Sequence, residues 1–178
     1  MKNLDFHPSK SENEFRSNYK LHDIAERAGK NLLVQWGIDF KEFGEDKRYE
    51  KLWEKGEDKP DLIINYKDSQ ALLDWKGKRT KLLLVNSRAI KSYERWREKL
   101  NTPVVIAFFL FDEQNHLSDR RFAFLPLHKF VYSNKQQWDK NRTVEFEKEL
   151  PKFTKENLVC YLSDFNQKYL EPIQLPTK

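Results

Sequence analysis

Val104 to Phe111 (VVIAFFLF) forms the longest unbroken apolar run in the chain, eight residues without a polar position. In a strand, successive side chains point to opposite faces, so a run of this kind leaves neither face for solvent. The segment is therefore expected to be a strand covered on both sides, as in sheets that carry helices on each face.

The rest of the chain supplies those covering elements. Ser11 and Glu14 have capping-box spacing. Leu21, Ile24, Ala25, Ala28 and Leu32 follow at helical spacing, which predicts a helix from Ser11 to about Gln35, with Gly37 as its terminator. Ile38, Phe40 and Phe43 are compatible with a short first strand, and Asp46 to Glu54 with a helical turn or two. Leu62–Asn65 and Ala71–Lys76 read as two strands joined by a polar turn, interrupted at Gly77. Lys81–Val85 reads as further sheet or as a loop. Asn86 or Ser87 caps a helix running to about Leu100, with Ala89, Tyr93, Trp96 and Leu100 on its packing stripe. Asp112–Asp119 is expected to be a loop. Arg121–Leu127 is a strand that Pro126 assigns to an edge or an end. His128–Asn141 is expected to be irregular, and Thr154 caps a last helix bearing Leu158, Tyr161, Leu162, Phe165 and Tyr169. This order predicts an α/β fold with a mixed central β-sheet flanked by helices. No repeat or composition break divides residues 1–178, so one domain is expected, with a core over about 11–127 and a C-terminal extension over 128–178.

Composition narrows the function classes. With 38% hydrophobic and 34% charged residues, no segment approaches the roughly 20 apolar residues of a spanning helix. The first residues lack the apolar core of a secretory signal. A single cysteine, Cys160, leaves no intramolecular disulfide and no cysteine-rich zinc site. A cytoplasmic protein is the expectation. There is no phosphate-binding lysine loop, GxSxG or dinucleotide fingerprint. Between Lys76 and Lys99, nine basic residues face only Glu94 and Glu98, although the whole chain carries just +5. Within that segment Arg88, Lys91, Arg95 and Lys99 form a helical stripe beside the packing face. Such clustering fits attraction to a polyanion.

Two carboxylates and a lysine are the residues with chemistry. Asp74 and Lys76 share one face of a strand, their Cα atoms roughly 7 Å apart at about 3.3 Å per residue. Pro60-Asp61 opens the preceding strand, so a hairpin brings Asp61 alongside. Asp61 and Asp74 are suitable ligands for a hard divalent ion. Glu26 falls at the edge of the first helix's buried face, where a carboxylate must be paired, hydrated or metal-linked. Pairing with a nearby Lys or Arg is the plainer of its two readings.

Pro60-Asp61, Asp74 and Lys76, in this order of elements, resemble the PD-(D/E)xK nuclease superfamily over roughly Leu21 to Leu127. The resemblance implies a restriction-endonuclease-like core of αβββαβ order, here with an extra C-terminal helix. It implies a Mg²⁺-dependent DNA endonuclease, with Mn²⁺ expected to substitute. Asp61, Asp74, Lys76 and Glu26 would be catalytic. The metal would be held by Asp61, Asp74, the Trp75 main-chain carbonyl and Glu26. Ala25-Glu26-Arg27 also resembles the helical acidic position of archaeal Holliday junction resolvases, which makes a structure-selective homodimer an alternative. A further alternative is a non-catalytic nucleic-acid-binding module on the same fold. Lys78, Arg79, Arg88, Lys91 and Arg95 are the phosphate-contact candidates, with RNA still open as the polymer.

Overall fold

The computed structural model describes residues 12–44, 58–79, 81–136 and 142–169. Its elements are α1 (Glu12–Trp36), β1 (Asp39–Glu42), β2 (Leu62–Tyr66), β3 (Ser69–Lys78), β4 (Leu84–Asn86) and α2 (Ser87–Leu100). They continue with β5 (Val104–Phe111), β6 (Leu117–Leu125), β7 (Phe130–Gln136), β8 (Arg142–Phe146) and α3 (Lys155–Tyr169). Every residue of β5 is buried, as its apolar run requires. β5 lies inside a five-stranded sheet of order β1-β2-β3-β5-β6. Its pairing with β3 is parallel and the other three pairings are antiparallel. A parallel neighbour needs a crossover, and α2 provides it.

The alternation of side chains along β3 sorts the molecule into layers. Leu73 and Trp75 belong to a core cluster with Leu21, Ala25 and Leu33 of α1 and Leu158, Leu162 and Phe165 of α3. Leu72 belongs to a second cluster, with Ala89, Ile90 and Tyr93 of α2 and Val144 and Phe146 of β8. One face of the sheet is thus covered by α1 and α3. The other is covered by α2 and a three-stranded sheet of order β4-β8-β7. The result is a mixed α/β fold, with a five-stranded mixed sheet flanked by helices.

Local chemistry explains the boundaries. Gly37 takes φ +65, and the Gly37 and Ile38 amides bond back to the Val34 and Leu33 carbonyls, which ends α1 in a left-handed cap. The Asn157 amide donates to Thr154 Oγ1 at 3.3 Å, so Thr154 caps α3 as its sequence predicts. β6 lies at the edge of the large sheet and gives way to Pro126.

Three expectations are corrected. Gly77 does not interrupt β3, which continues to Lys78. The α1 backbone passes so close at Leu21 and His22 that a Cβ at position 77 would collide with it. The loop after β5 ends at Leu117 instead of Asp119, because β6 pairs with the far end of β5. His128–Asn141 is not irregular throughout: Phe130–Gln136 is β7, paired with β8. Its exposed Val131 and Tyr132 break the alternation that would have marked a half-buried strand. Ser11 of the capping box and the turns expected over Asp46–Glu54 lie outside the described residues. Among the described residues, no helix is long and apolar enough to cross a membrane.

Candidate active site

Asp61 stands one residue before β2, whose register pairs Leu62 with Leu73. Beyond that pair the β2 backbone no longer follows β3, and the Trp75 amide needs another acceptor. It donates to Asp61 Oδ2 at 2.8 Å, so a side chain continues the ladder. The Asp61 carbonyl accepts from the Phe43 amide at 2.8 Å, tying the residue to the chain after β1 as well. Asp61 is positioned by main chain on both sides.

Asp74 and Lys76 do share the face of β3 that looks toward α2. Asp74 is only 3% exposed. Its Oδ1 accepts a 2.6 Å hydrogen bond from the Tyr93 hydroxyl, and its Oδ2 lies 2.5 Å from Lys76 Nζ. That ammonium is the sole partner of Oδ2 among the described residues. Lys76 also reaches the Tyr93 oxygen at 3.4 Å and lies 5.8 Å from the centre of its ring. Tyr93 was legible in the sequence only as a packing residue. It is 2% exposed and packs as expected, but a buried phenol needs a hydrogen-bond partner, and here the partner is Asp74.

The electrostatics follow from burial and crowding. Burial first, and the neighbouring Asp74 second, push the Asp61 carboxyl up to about 8, against the opposing pull of Lys76 and the Trp75 amide. Burial alone would lower the Lys76 ammonium, but Asp74 and Asp61 outweigh it and hold the group above its ordinary value. Tyr93 is pushed well above the usual phenol range by burial and by Asp74, so it acts as a neutral donor. Asp58 adds to both shifts, which brings a third carboxylate near Lys76. No apolar strand context marks Asp58 in the sequence.

Glu26 belongs to the opposite layer. Its Oε1 is bound by Lys30 Nζ at 2.7 Å, and the same ammonium binds Glu42 at 2.6 Å. The pairing reading of Glu26 is thus realised by a lysine one helical turn onward. His22, one turn earlier, lies 3.9 Å from Glu26 Oε2 and places Nδ1 3.2 Å from the Trp75 carbonyl. A carbonyl only accepts, so Nδ1 carries the proton. The spacing of the histidines gave no signal for this contact. Asp23, Glu26, Arg27 and Lys30 line an open cleft of about 370 Å³ beside it.

For a cation, the set offers Asp61 Oδ1, the remaining lone pair of the Trp75 carbonyl and, in exchange for its Lys76 contact, Asp74 Oδ2. Among the described residues, no three His, Cys, Asp or Glu side chains converge tightly enough to hold a metal unaided. Two carboxylate oxygens and a carbonyl fit a small hard ion that keeps several waters. Burial first, and the neighbouring Asp74 second, disfavour the charged form of Asp61, and a cation held between the two carboxylates would favour it.

The basic candidates occupy different settings. Arg88 is engaged by Asp58, Nε to Oδ2 at 2.9 Å. Arg79 donates to the Asp112 and Glu113 carbonyls and to Asn115, bracing the β5–β6 turn. Arg95 donates to Ser92 at 3.2 Å. Lys91 is exposed on α2, and Lys78 is half-buried at the end of β3.

No protein-family model matches the chain. No curated protein matches it either. Among solved structures it is similar to a Holliday junction resolvase of the archaeal hyperthermophile Archaeoglobus fulgidus. Identity is 13% and the TM-score 0.45, over 70% of this chain and 83% of that one.

Proposed function

We propose that this chain is a metal-dependent phosphodiesterase that cleaves DNA within the strand, with Asp61, Asp74 and Lys76 as its catalytic set. The observation that carries the reading is the convergence of these three side chains where β3 runs on past the start of β2, held by the Trp75 amide and the Tyr93 hydroxyl. The order of the helices and large-sheet strands, α1, β1–β3, α2, β5, supports it, because it follows the αβββαβ order of restriction-endonuclease-like nucleases once β4, a strand of the second sheet inserted between β3 and α2, is set aside.

Asp61 and Asp74 would bind Mg²⁺ or Mn²⁺ with the Trp75 carbonyl. The ion would supply charge neutralisation at the phosphate and a more acidic bound water. Lys76, kept cationic by the two aspartates, serves to orient the attacking water and to offset charge developing on the phosphate oxygens. Glu26 takes part through water or by positioning, since Lys30 neutralises it. The basic segment that runs from Lys76 into α2 supplies phosphate contacts close to the site.

The test is a cleavage panel of linear duplex, single strand and four-way junction, each with Mg²⁺, Mn²⁺ or EDTA. Cutting that needs metal and is lost in Asp74→Ala is the expected result. Cleavage in EDTA, or full activity in Asp74→Ala, overturns the reading. Binding without cleavage under every condition would make the chain a nucleic-acid-binding module. Preference for the junction over matched duplex would mark a resolvase-like homodimer.

A further inference from the structure

Both carboxylates of the candidate site have one oxygen already committed within the protein. Asp61 Oδ2 holds the Trp75 amide at 2.8 Å, and Asp74 Oδ1 holds the Tyr93 hydroxyl at 2.6 Å. Asp61 can therefore offer Oδ1 freely, and Asp74 can offer Oδ2 where an ion takes the place of the Lys76 ammonium, with neither acid breaking its hydrogen bond to the Trp75 amide or the Tyr93 hydroxyl. For Asp74 that break would strand the phenol of a residue only 2% exposed. Mg²⁺ is content with single carboxylate oxygens and retained waters in an octahedron. Ca²⁺ takes six to eight oxygens at longer distances and commonly uses both oxygens of a carboxylate.

We propose that Tyr93 is a metal-specificity determinant: by occupying Asp74 Oδ1 it restricts Asp74 to monodentate binding and disfavours Ca²⁺ relative to Mg²⁺. This rests on the metal-dependent reading above and goes beyond it, because it assigns ion selection to a residue that touches neither metal nor substrate. Tyr93 is a positioning residue in this role. The Asp61 restraint is made by backbone and cannot be removed by substitution, so Tyr93 is the side-chain determinant open to mutation. The Lys76 contact with the same hydroxyl fixes the phenol from a second side.

The experiment is calorimetric titration of the full chain with MgCl₂ and with CaCl₂ at one pH, for the unmodified protein and for Tyr93→Phe. Phenylalanine keeps the ring in its pocket, and circular dichroism and a melting curve verify folding. The ratio of the Ca²⁺ to the Mg²⁺ dissociation constant should fall in Tyr93→Phe, by up to the roughly tenfold by which losing an outer hydrogen bond to a ligand changes metal affinity. A packing defect alone would weaken both ions together and leave the ratio in place, which would overturn the proposal. A second readout does not depend on the variant. Metal-minus-apo infrared difference spectra of the unmodified protein should show the wide carboxylate band splitting of monodentate binding with Mg²⁺, and a bidentate splitting would overturn the proposal. Failure of the unmodified protein to bind either ion would instead remove the metal-dependent reading itself, and this inference with it.

Discussion

Asp61 combines a carboxyl pushed up to about 8 with a hydrogen bond that accepts from the Trp75 amide, and this combination sets a pH dependence. In the unfolded chain the group titrates near the ordinary carboxylate value of about 3.9. Between these two values the folded state binds the extra proton, so stability is highest on the acid side and is lost as pH rises through the folded value. Metal-free protein in EDTA should therefore show a falling denaturant midpoint from about pH 5 to pH 8, and a plateau above. Asp61→Asn keeps an acceptor for the amide but has no proton to lose, so its curve should be flatter over that range. Equal slopes for the two proteins would show that Asp61 is not the group responsible. The same sign governs metal binding, since a cation competes with the Asp61 proton and should bind more tightly toward pH 8.

The contact of α1 with β3 is where local propensity and tertiary fit disagree. Gly29 sits in the interior of α1, where alanine would ordinarily gain about 1 kcal/mol. Its missing Cβ is instead the space filled by the Trp75 indole, and a methyl there would collide with the ring. Overpacking of this kind costs about 1–3 kcal/mol. Gly29→Ala should thus lower the midpoint of urea unfolding. An unchanged or higher midpoint would mean that the indole yields. The sequence could report that Gly29 does not end the helix, but not that Trp75 needs it. The same division holds elsewhere. The run at Val104–Phe111, the strands around Asp61 and Asp74, and most of the stripe of α2 were legible from the apolar pattern of each, although at the end of α2 Leu100 is exposed instead of packed, and Ile90 is buried outside the expected stripe. β8 and β7 were not: Val131 and Tyr132 of β7 are exposed, and β8 is held by pairing with the distant β4 instead of by pattern. At the site, the carboxylates and the lysine were visible as residue types at strand ends. The roles of Tyr93, His22 and Asp58 were not, because each depends on a contact across 17 or more positions, such as Lys76 to Tyr93 and Arg88 to Asp58.

Across the whole molecule, charge and chemistry meet along α2. Its inner face delivers Tyr93 to Asp74, while Arg88, Lys91 and Arg95 lie on its exposed side. Arg88 is not idle there, since its guanidinium is shared with Asp58 close to the site. A nucleic-acid phosphate would compete with that carboxylate for the same donors. If Arg88 and Arg95 each neutralise one phosphate, their double alanine variant should reduce the slope of log affinity against log salt by about 2. Fluorescence anisotropy with labelled duplex over a salt series measures it, and an unaltered slope would take α2 out of the interface.

β3 also separates two kinds of tolerance in a single strand. Leu73 and Trp75 serve the core between α1, α3 and the sheet, whereas Asp74 and Lys76 turn to the other layer. Losses at 74 and 76 spare the aromatic packing around Trp75, and losses at 73 and 75 strike the fold itself. Drift or design can thus remove the acid–lysine set from this chain while leaving its architecture and basic surface whole. On the proposed nuclease reading, the double change Asp74→Asn with Lys76→Met is the natural starting point for a form that holds nucleic acid without cutting it.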